Sequence, residues 1–297
     1  MEEAKRCAIF GNIYQAKTYE AVQKLFDALK SLGILPLIDS PFLEYLEDEM
    51  KISLPEHRVI NDDVFDADIA ISMGGDGTFL TTAMRVGDKQ IPILGINTGR
   101  LGFLADFSLD DISQTLKDFL AGKLQTERCN VLQVECSEGA MNGYPFALNE
   151  VAVLKHDNSS MISIRVELGG EYLTTYQADG LIINTPTGST GYALSVGGPV
   201  MLPGSRNFGI VPVAPHGLTV RPLTLPDDLD ITLTVESRSH SFLVAIDGRS
   251  ESCLDSVRLS LRKAPYQVVV LKRPDTTFLR TLRSKLLWGS DARNICN

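Results

Sequence analysis

The sequence predicts an α/β N-terminal domain with a parallel sheet, followed by an all-β C-terminal domain. In the first hundred residues, short apolar runs alternate with segments of helical periodicity, which is typical of strands in a parallel sheet covered on both faces. After about residue 122 the apolar residues recur at every second position, as they do in antiparallel strands. The length of 297 residues corresponds to about two domains.

The elements of the first domain follow in order along the chain. Between residues 39 and 68, ten acidic residues accompany only two basic ones, and we interpret this stretch as a solvated surface. The first helix is expected to end at Gly33, which suits a left-handed cap. Strands are predicted at 7–10, 34–38, 68–72 and 92–96, and helices at 18–32, 79–86 and 108–122.

The second domain begins near residues 103–108 by this pattern. Residues 162–168 and 171–176 flank Gly169 and Gly170, which predicts a β-hairpin. Further strands are predicted at 229–235 and at 242–246, the latter ending in an Asp-Gly turn. A last helix is predicted at 277–287, with its apolar residues on one face.

Composition and charge exclude several classes of function. The 28 basic and 37 acidic residues leave a net charge of −9, which argues against a nucleic-acid or membrane-surface partner. No apolar run reaches the roughly 18 residues of a membrane span, and the N-terminus resembles no signal peptide, so we expect a cytoplasmic protein. The five cysteines are scattered without C-x-x-C spacing, so neither a disulfide framework nor a zinc site is predicted.

A glycine-rich turn at residues 74–78 joins an apolar strand to a helix. Parallel sheets bind ligands at this edge, and glycines let the backbone approach phosphate oxygens closely. Asp76 lies inside the turn, where a carboxylate would repel phosphate unless it took a proton from an attacking hydroxyl or held Mg²⁺. A turn residue or helix N-cap is the alternative, and the spacing alone favours neither. Arg100, in a second strand-exit turn, is either a surface charge or a partner of phosphate.

Two further places carry polar residues inside apolar surroundings. Residues 185–192 combine three threonines, one serine and two glycines between an apolar strand and an apolar exit, so this loop is anchored at both ends. Asn149 and Glu150 interrupt an apolar run. They must be paired, which a bulge or strand end would explain, or they must face a cleft.

Taken in order, these motifs resemble the NAD kinase family. Gly-Gly-Asp-Gly alone also occurs in lipid kinases and phosphofructokinases, whereas the ordered set is specific and spans residues 73–288. The matching stretches are Met-Gly-Gly-Asp-Gly-Thr at 73–78, Gly-Ile-Asn-Thr-Gly-Arg-Leu-Gly-Phe-Leu at 95–104, Asn-Glu at 149–150, Asp-Gly at 179–180, Thr-Pro-Thr-Gly-Ser-Thr at 185–190, Gly-Gly-Pro at 197–199, Pro-His at 215–216, Arg-Pro-Leu at 221–223 and Leu-Arg-Ser-Lys-Leu at 282–286, before Trp288.

The resemblance implies phosphoryl transfer from ATP or another triphosphate to the adenosine-ribose 2′-hydroxyl of NAD. It implies domains at 1–105 and 106–268, with residues 269–297 returning to the first domain, and an active site between the domains. It also implies a homodimer or homotetramer that uses a divalent cation, Mg²⁺ or Mn²⁺, bound mainly through the nucleotide phosphates.

By position in the family motifs, the resemblance assigns Asp76 as the base for the 2′-hydroxyl. The glycine turn around it would cradle phosphate through Gly75, Gly77 and Thr78. The dinucleotide-binding residues would be Asn149, Glu150, Asp179, Thr187, Ser189, Thr190, Gly191, Tyr192, Ala193, Leu194 and Ser195.

The sequence departs from the family pattern at Gly191, where many members have alanine. Gln177 and Ser160 stand where many bacterial members carry arginine or histidine, and these positions bear on ligand affinity and on NAD versus NADH preference. Arg249 falls at another contact position. The rival functions are a lipid or sugar kinase that shares Gly-Gly-Asp-Gly, and a non-catalytic dinucleotide-binding regulator.

Overall fold

The computed structural model describes residues 4–12, 19–98, 102–137, 143–156 and 160–288. The predictions made for Arg100 and for the cysteine at position 296 lie outside these residues. The contacts divide the chain into two compact units. The first unit consists of residues 1–128 and 268–297, and the second consists of residues 129–267.

The secondary structure alternates in the first third of the chain and then becomes almost entirely β. The helices are α1 Tyr19–Ser31, α2 Ser40–Asp48, α3 Asp76–Val86, α4 Ile112–Leu120, α5 Tyr192–Ser195 and α6 Phe278–Leu286. The strands are β1 Arg6–Gly11, β2 Leu35–Asp39, β3 Arg58–Ile60, β4 Ile69–Gly74, β5 Ile93–Asn97, β6 Gln125–Cys136, β7 Phe146–Ala147, β8 Glu150–Lys155, β9 Ile162–Leu168, β10 Glu171–Ala178, β11 Gly180–Asn184, β12 Asn207–Val213, β13 Leu223–Pro226, β14 Ile231–Glu236, β15 Ser241–Ile246, β16 Arg249–Leu254 and β17 Arg258–Lys272.

The first unit contains a parallel sheet in the order β5-β4-β1-β2-β3, which confirms the predicted α/β class. All six residues of β4 are buried, as expected for a central strand covered on both faces. Val270 of β17 pairs in parallel with Ile93 and extends this sheet. The glycine turn therefore follows a fully buried central strand.

The acidic stretch at residues 39–68 contains α2 and β3, two elements that the periodicity did not predict. Phe42 and Leu46 of α2 are buried in the core, while Glu44 and Glu47 point outward. A helix with few apolar residues on one face has a weak helical periodicity, so the surrounding acidic residues make it hard to predict from sequence.

The first unit extends further along the chain than the pattern change near residues 103–108 suggests. Ile112 and Leu116 of α4 belong to the core of this unit together with Leu25 and Leu29 of α1. Packing of α4 against α1 places residues 106–128 here, because the apolar face of α4 must be buried.

The second unit consists of antiparallel sheets, as predicted. One sheet has the order β13-β12-β11-β8-β15-β16, and β9 pairs with both β10 and β14. Gly169 and Gly170 both have positive φ in the predicted hairpin. Asp247 and Gly248 also have positive φ in the two-residue turn between β15 and β16, which is the backbone that such tight hairpins require. Within the described part of the chain, no helix is long and apolar enough to span a bilayer.

Candidate active site

The glycine turn of the first unit places Asp76 at the first residue of α3. Gly75 is the N-cap and Asp76 is the first helical residue, so the N-cap alternative for Asp76 is wrong. Gly77 is exposed, and Thr78 is partly buried. The first N–H groups of a helix lack intrahelical partners, so this turn presents backbone donors beside a carboxylate.

The carboxylate of Asp76 is held by the backbone of another loop. Its Oδ2 accepts a hydrogen bond from the N–H of Phe103 at 2.8 Å, and its Oδ1 accepts one from the N–H of Leu104 at 3.0 Å. Each oxygen keeps a further lone pair for a ligand hydroxyl. The side chain is therefore fixed in one orientation, and it remains able to accept a proton.

Glycine is required at two positions around this carboxylate. A Cβ on Gly102 would collide with the Asp76 carboxylate, and a Cβ on Gly74 would collide with the hydroxyl of Thr78. That hydroxyl, Oγ1 of Thr78, is buried without a hydrogen-bond partner. Buried polar atoms are normally paired, so this donor points to a ligand in the turn.

In the second unit, Asn149 and Glu150 form a turn at the start of β8, where Glu150 pairs with Asn184 of β11. The carboxylate of Asp247 holds this turn from the neighbouring hairpin. Its Oδ2 accepts from the N–H of Leu148 at 2.7 Å, and its Oδ1 accepts from the N–H groups of Asn149 and Glu150 at 2.9 and 3.0 Å. The strand-end alternative for Asn149 and Glu150 is thus correct as local structure.

The turn nevertheless offers unpaired polar atoms. Oδ1 of Asn149 and Oε2 of Glu150 are both buried and have no hydrogen-bond partner. Burial and the nearby Asp247 carboxylate raise the pKa of Glu150 to about 7, although the backbone N–H of Tyr192 opposes the shift. Burial also raises the pKa of Asp247, against the three N–H groups and Arg249. These two acceptors are suited to a ligand that carries hydroxyl groups.

The loop at residues 185–195 closes over the same turn. The hydroxyl of Thr185 donates to the Leu148 carbonyl at 2.6 Å, and a Cβ on Gly188 would collide with the Asn149 carbonyl. A Cβ at Gly191 would lie 3.1 Å from Oε2 of Glu150 and 3.3 Å from Nδ2 of Asn149. Glycine at this position therefore leaves more room at the turn than alanine would.

The predicted residues of this loop divide into inward and outward groups. Ser189 is fully buried, where its hydroxyl donates to the Pro186 carbonyl at 2.7 Å and accepts from the Met201 N–H at 2.9 Å. Ala193 is packed in the core. The residues that are partly or fully exposed are Thr187, Thr190, Gly191, Tyr192, Leu194 and Ser195.

Ser160, Gln177 and Asp179 lie together in a separate cleft of the second unit, with a volume of about 750 Å³. Lys155 also lines this cleft, and its ammonium pairs with Oδ1 of Asp179 at 2.7 Å. The resemblance assigns Asp179 to dinucleotide binding and places Gln177 and Ser160 at positions that bear on ligand affinity. The structure brings the three residues to one open surface.

Arg249 is engaged by the protein's own backbone. Its guanidinium donates to the carbonyls of Ile246, Tyr144 and Phe146 at 3.2, 3.3 and 3.1 Å. In this arrangement Arg249 ties the segment that leads to Asn149 to the β15–β16 hairpin.

Sequence reasoning did not find the role of Asp247. The Asp-Gly pair was recognised only as a turn, and about a hundred residues separate it from the backbone that it binds. Its signal in the sequence is an aspartate at the first position of a two-residue hairpin, which is common without any function. Only the pairing of β15 with β8 brings it to Asn149.

Two family models match the chain. The ATP-NAD kinase N-terminal domain matches residues 8–124, and the ATP-NAD kinase C-terminal domain matches residues 148–272.

Curated relatives match over nearly the whole chain. An NAD kinase of Bacteroides fragilis is 52% identical over 96% of this chain and 99% of its own length. An NAD kinase of Porphyromonas gingivalis is 39% identical over 97% of this chain and its own full length.

Two solved structures have the same fold. An Archaeoglobus fulgidus NAD kinase in complex with ATP has a TM-score of 0.73 and 28% identity, over 94% of this chain and 99% of the other. A yeast NADH kinase complexed with NADH has a TM-score of 0.87 at 19% identity, over 98% and 89%, and this likeness concerns the fold alone.

Proposed function

The chain belongs to the NAD kinase family, and we propose that Asp76 is the base with which it phosphorylates NAD. Members of this family transfer a phosphoryl group from ATP to the 2′-hydroxyl of the adenosine ribose of NAD, and the product is NADP. The 52% identity to a curated NAD kinase over 96% of the chain supports the same activity here.

The geometry of the first unit supports the role of Asp76. A ribose hydroxyl is a poor nucleophile until a base lies within hydrogen-bond reach. Asp76 is oriented by two backbone N–H groups at the edge of the sheet where parallel folds bind nucleotides. The N-terminus of α3 and the unpaired hydroxyl of Thr78 would meet phosphate oxygens beside it.

The second unit supports dinucleotide binding. The observation that carries this assignment is the pair of buried acceptors without partners, Oδ1 of Asn149 and Oε2 of Glu150. Two acceptors on adjacent residues match the vicinal hydroxyls of a ribose. We assign the rim of the loop, including Thr190 and Tyr192, to the rest of the dinucleotide.

The direct test of this function is NADP formation by the purified protein. ATP with NAD is expected to give NADP, and ATP with diacylglycerol is expected to give no phosphorylated lipid. A protein that bound NAD without forming NADP would match the regulator instead, and lipid phosphorylation would match the rival kinase.

The pKa of Glu150 predicts a pH dependence. The carboxylate form accepts hydrogen bonds from ribose, so kcat/KM for NAD is expected to rise with pH and to level off above a pKa of about 7. Glu150→Gln should remove this limb and raise the KM for NAD about tenfold, the effect of losing one charged hydrogen bond. Steady-state rates between pH 5.5 and about 8.5 measure both effects.

The same shift has a consequence for stability with a defined sign. The folded-state pKa of Glu150 is raised above its unfolded value. The contribution of Glu150 to the free energy of unfolding is therefore full below pH 4.5 and is lost as the pH rises to about 7. The loss is on the order of 3 kcal/mol relative to Glu150→Gln. The test compares the free energy of unfolding of the wild type with that of Glu150→Gln at each pH. If the difference between them stayed constant from pH 4.5 to about 7, the raised pKa of Glu150 would be contradicted.

We propose that the divalent cation, Mg²⁺ or Mn²⁺, is bound mainly by the nucleotide phosphates. Among the described residues, no group of three or more histidine, cysteine, aspartate or glutamate side chains could hold a metal ion. No step here is assigned to the cation.

The family resemblance also supports a cytoplasmic protein that forms a homodimer or homotetramer. Light scattering would measure its oligomeric state.

A further inference from the structure

The last helix, α6, packs on the loop that holds the Asp76 carboxylate. Leu282 is buried, and the ring of Phe278 lies 6.4 Å from the ring of Phe103. Phe103 is also the residue whose N–H donates to Asp76. The helix is therefore part of the surroundings of the catalytic carboxylate, although more than 200 residues separate Asp76 from Lys285 in the sequence.

Lys285 extends from α6 towards this loop. Its Nζ lies 5.7 Å from the centre of the Phe103 ring and is buried without a hydrogen-bond partner. The ammonium of Lys272 also contacts this residue, with Nζ 3.5 Å from the Phe103 carbonyl. Two cations thus flank one residue of the loop, and one of them has no acceptor.

The electrostatic surroundings of Lys285 are unfavourable for its charge. Burial lowers the pKa of its ammonium, Asp106 and Asp76 oppose this shift, and Lys272 adds to it. Oδ2 of Asp106 is itself buried and unpaired. The cavity beside Lys285, about 530 Å³ in volume, also carries the charged residues Asp111, Arg273, Asp275 and Arg280.

A buried ammonium with three donors and no acceptor destabilises the fold, and such groups are usually retained for a ligand. The neighbouring N-terminus of α3 favours an anion for independent reasons. A phosphate oxygen at the Asp76 turn would supply the acceptor that Lys285 lacks. The unpaired ammonium of Lys285 and the N-terminus of α3 therefore both favour an anionic ligand such as phosphate.

Resting on the proposed function, we propose that Lys285 is a further catalytic residue, which donates hydrogen bonds to the phosphoryl group in transfer. The bond between the γ-phosphorus and the β,γ-bridging oxygen breaks, and its electron pair leaves with ADP. A bond forms from the 2′-oxygen to the phosphorus, and the hydroxyl proton passes to Asp76. Lys285 stabilises the charge on the non-bridging oxygens during this exchange.

The test compares Lys285→Met and Lys285→Arg with Arg283→Gln, a control at an exposed position of the same helix. Lys285→Met is expected to lower kcat about a hundredfold with ATP and NAD, the scale of one lost charge-stabilising donor. Lys285→Arg should recover part of this loss, and Arg283→Gln should keep wild-type rates. NAD affinity, measured by calorimetry, should stay within about twofold in all three.

Stability gives an independent readout with the opposite sign. Because the buried charge is unfavourable, Lys285→Met is expected to keep the wild-type Tm or to raise it by about 2 °C. A fall in Tm that accounted for the lost activity would make Lys285 a structural residue and overturn the proposal.

The separation of kcat from NAD affinity distinguishes contact with phosphate from an action on the loop that holds Asp76. If Lys285→Met weakened NAD binding and left kcat unchanged, Lys285 would act through that loop, and the proposal would be wrong. Wild-type kcat and KM for ATP in Lys285→Met would also overturn it. In either case Asp76→Asn would still lower kcat by about a hundredfold or more, so the proposed function would stand independently.

Discussion

Replacement of Asp76 by asparagine is expected to lower kcat by about a hundredfold or more while NAD binding is retained. Asparagine has nearly the same shape, but it cannot take a proton from the 2′-hydroxyl, and general-base catalysis contributes about this factor. The amide nitrogen would face one of the two loop N–H groups, Phe103 or Leu104, so a stability loss of about 1 kcal/mol is also expected. Steady-state rates with ATP and NAD, together with calorimetric NAD binding, measure the two effects separately.

A matched control and an independent variant make this result specific. Asp88→Asn changes an exposed aspartate just beyond α3 and should leave kcat unchanged. Gly102→Ala keeps Asp76 but places a methyl group against its carboxylate, so it should reproduce most of the loss in kcat. Near-wild-type turnover in Asp76→Asn would remove the base assignment, whatever Gly102→Ala did.

Much of the fold could be predicted because it rests on local periodicity. Strands β1, β2, β4 and β5 are short apolar runs, and the β9–β10 hairpin alternates strictly around Gly169 and Gly170. Helix α2 was missed since only Phe42 and Leu46 are buried among acidic residues. Local pattern is informative where one face is continuously apolar, and it fails where two residues suffice to anchor a helix.

The candidate site could be predicted only in part, for a different reason. Asp76, Asn149 and Glu150 stand out because polar residues interrupt apolar strands or glycine turns. The groups that orient them are ordinary in the sequence: the N–H groups of Phe103 and Leu104 and the carboxylate of Asp247 become partners only through the fold. A side chain that is oriented by backbone N–H groups cannot be recognised from the types of its partner residues, since every residue except proline carries an N–H group.

Gly191, where many family members have alanine, lies beside the turn formed by Asn149 and Glu150. The missing methyl group would lie in tight contact with both Asn149 and Glu150, so its absence enlarges the space beside two unpaired acceptors. The backbone N–H at this position is retained. The departure therefore concerns the fit of the ligand against the turn and leaves the donors of the loop in place.

Replacement of Asp247 by alanine is expected to damage both stability and NAD recognition. Three successive backbone N–H groups, those of Leu148, Asn149 and Glu150, lose their acceptor in a buried place. We expect the free energy of unfolding to fall by about 3 kcal/mol and the KM for NAD to rise at least about tenfold. Urea unfolding and steady-state kinetics measure these effects, and Asp228→Asn, at an exposed position of the same unit, is the control.

Asp247→Asn separates the geometric effect from the electrostatic one. The retained oxygen can still accept from Asn149 and Glu150, and only the Leu148 N–H then meets a donor, so the stability loss should be smaller than in the alanine variant. The charge next to Glu150 is removed in both variants. Because Asp247 raises the pKa of Glu150, the limb near pH 7 in kcat/KM for NAD should move to lower pH in Asp247→Asn. A limb that stayed in place while stability fell would show that Asp247 acts on the turn through its hydrogen bonds alone.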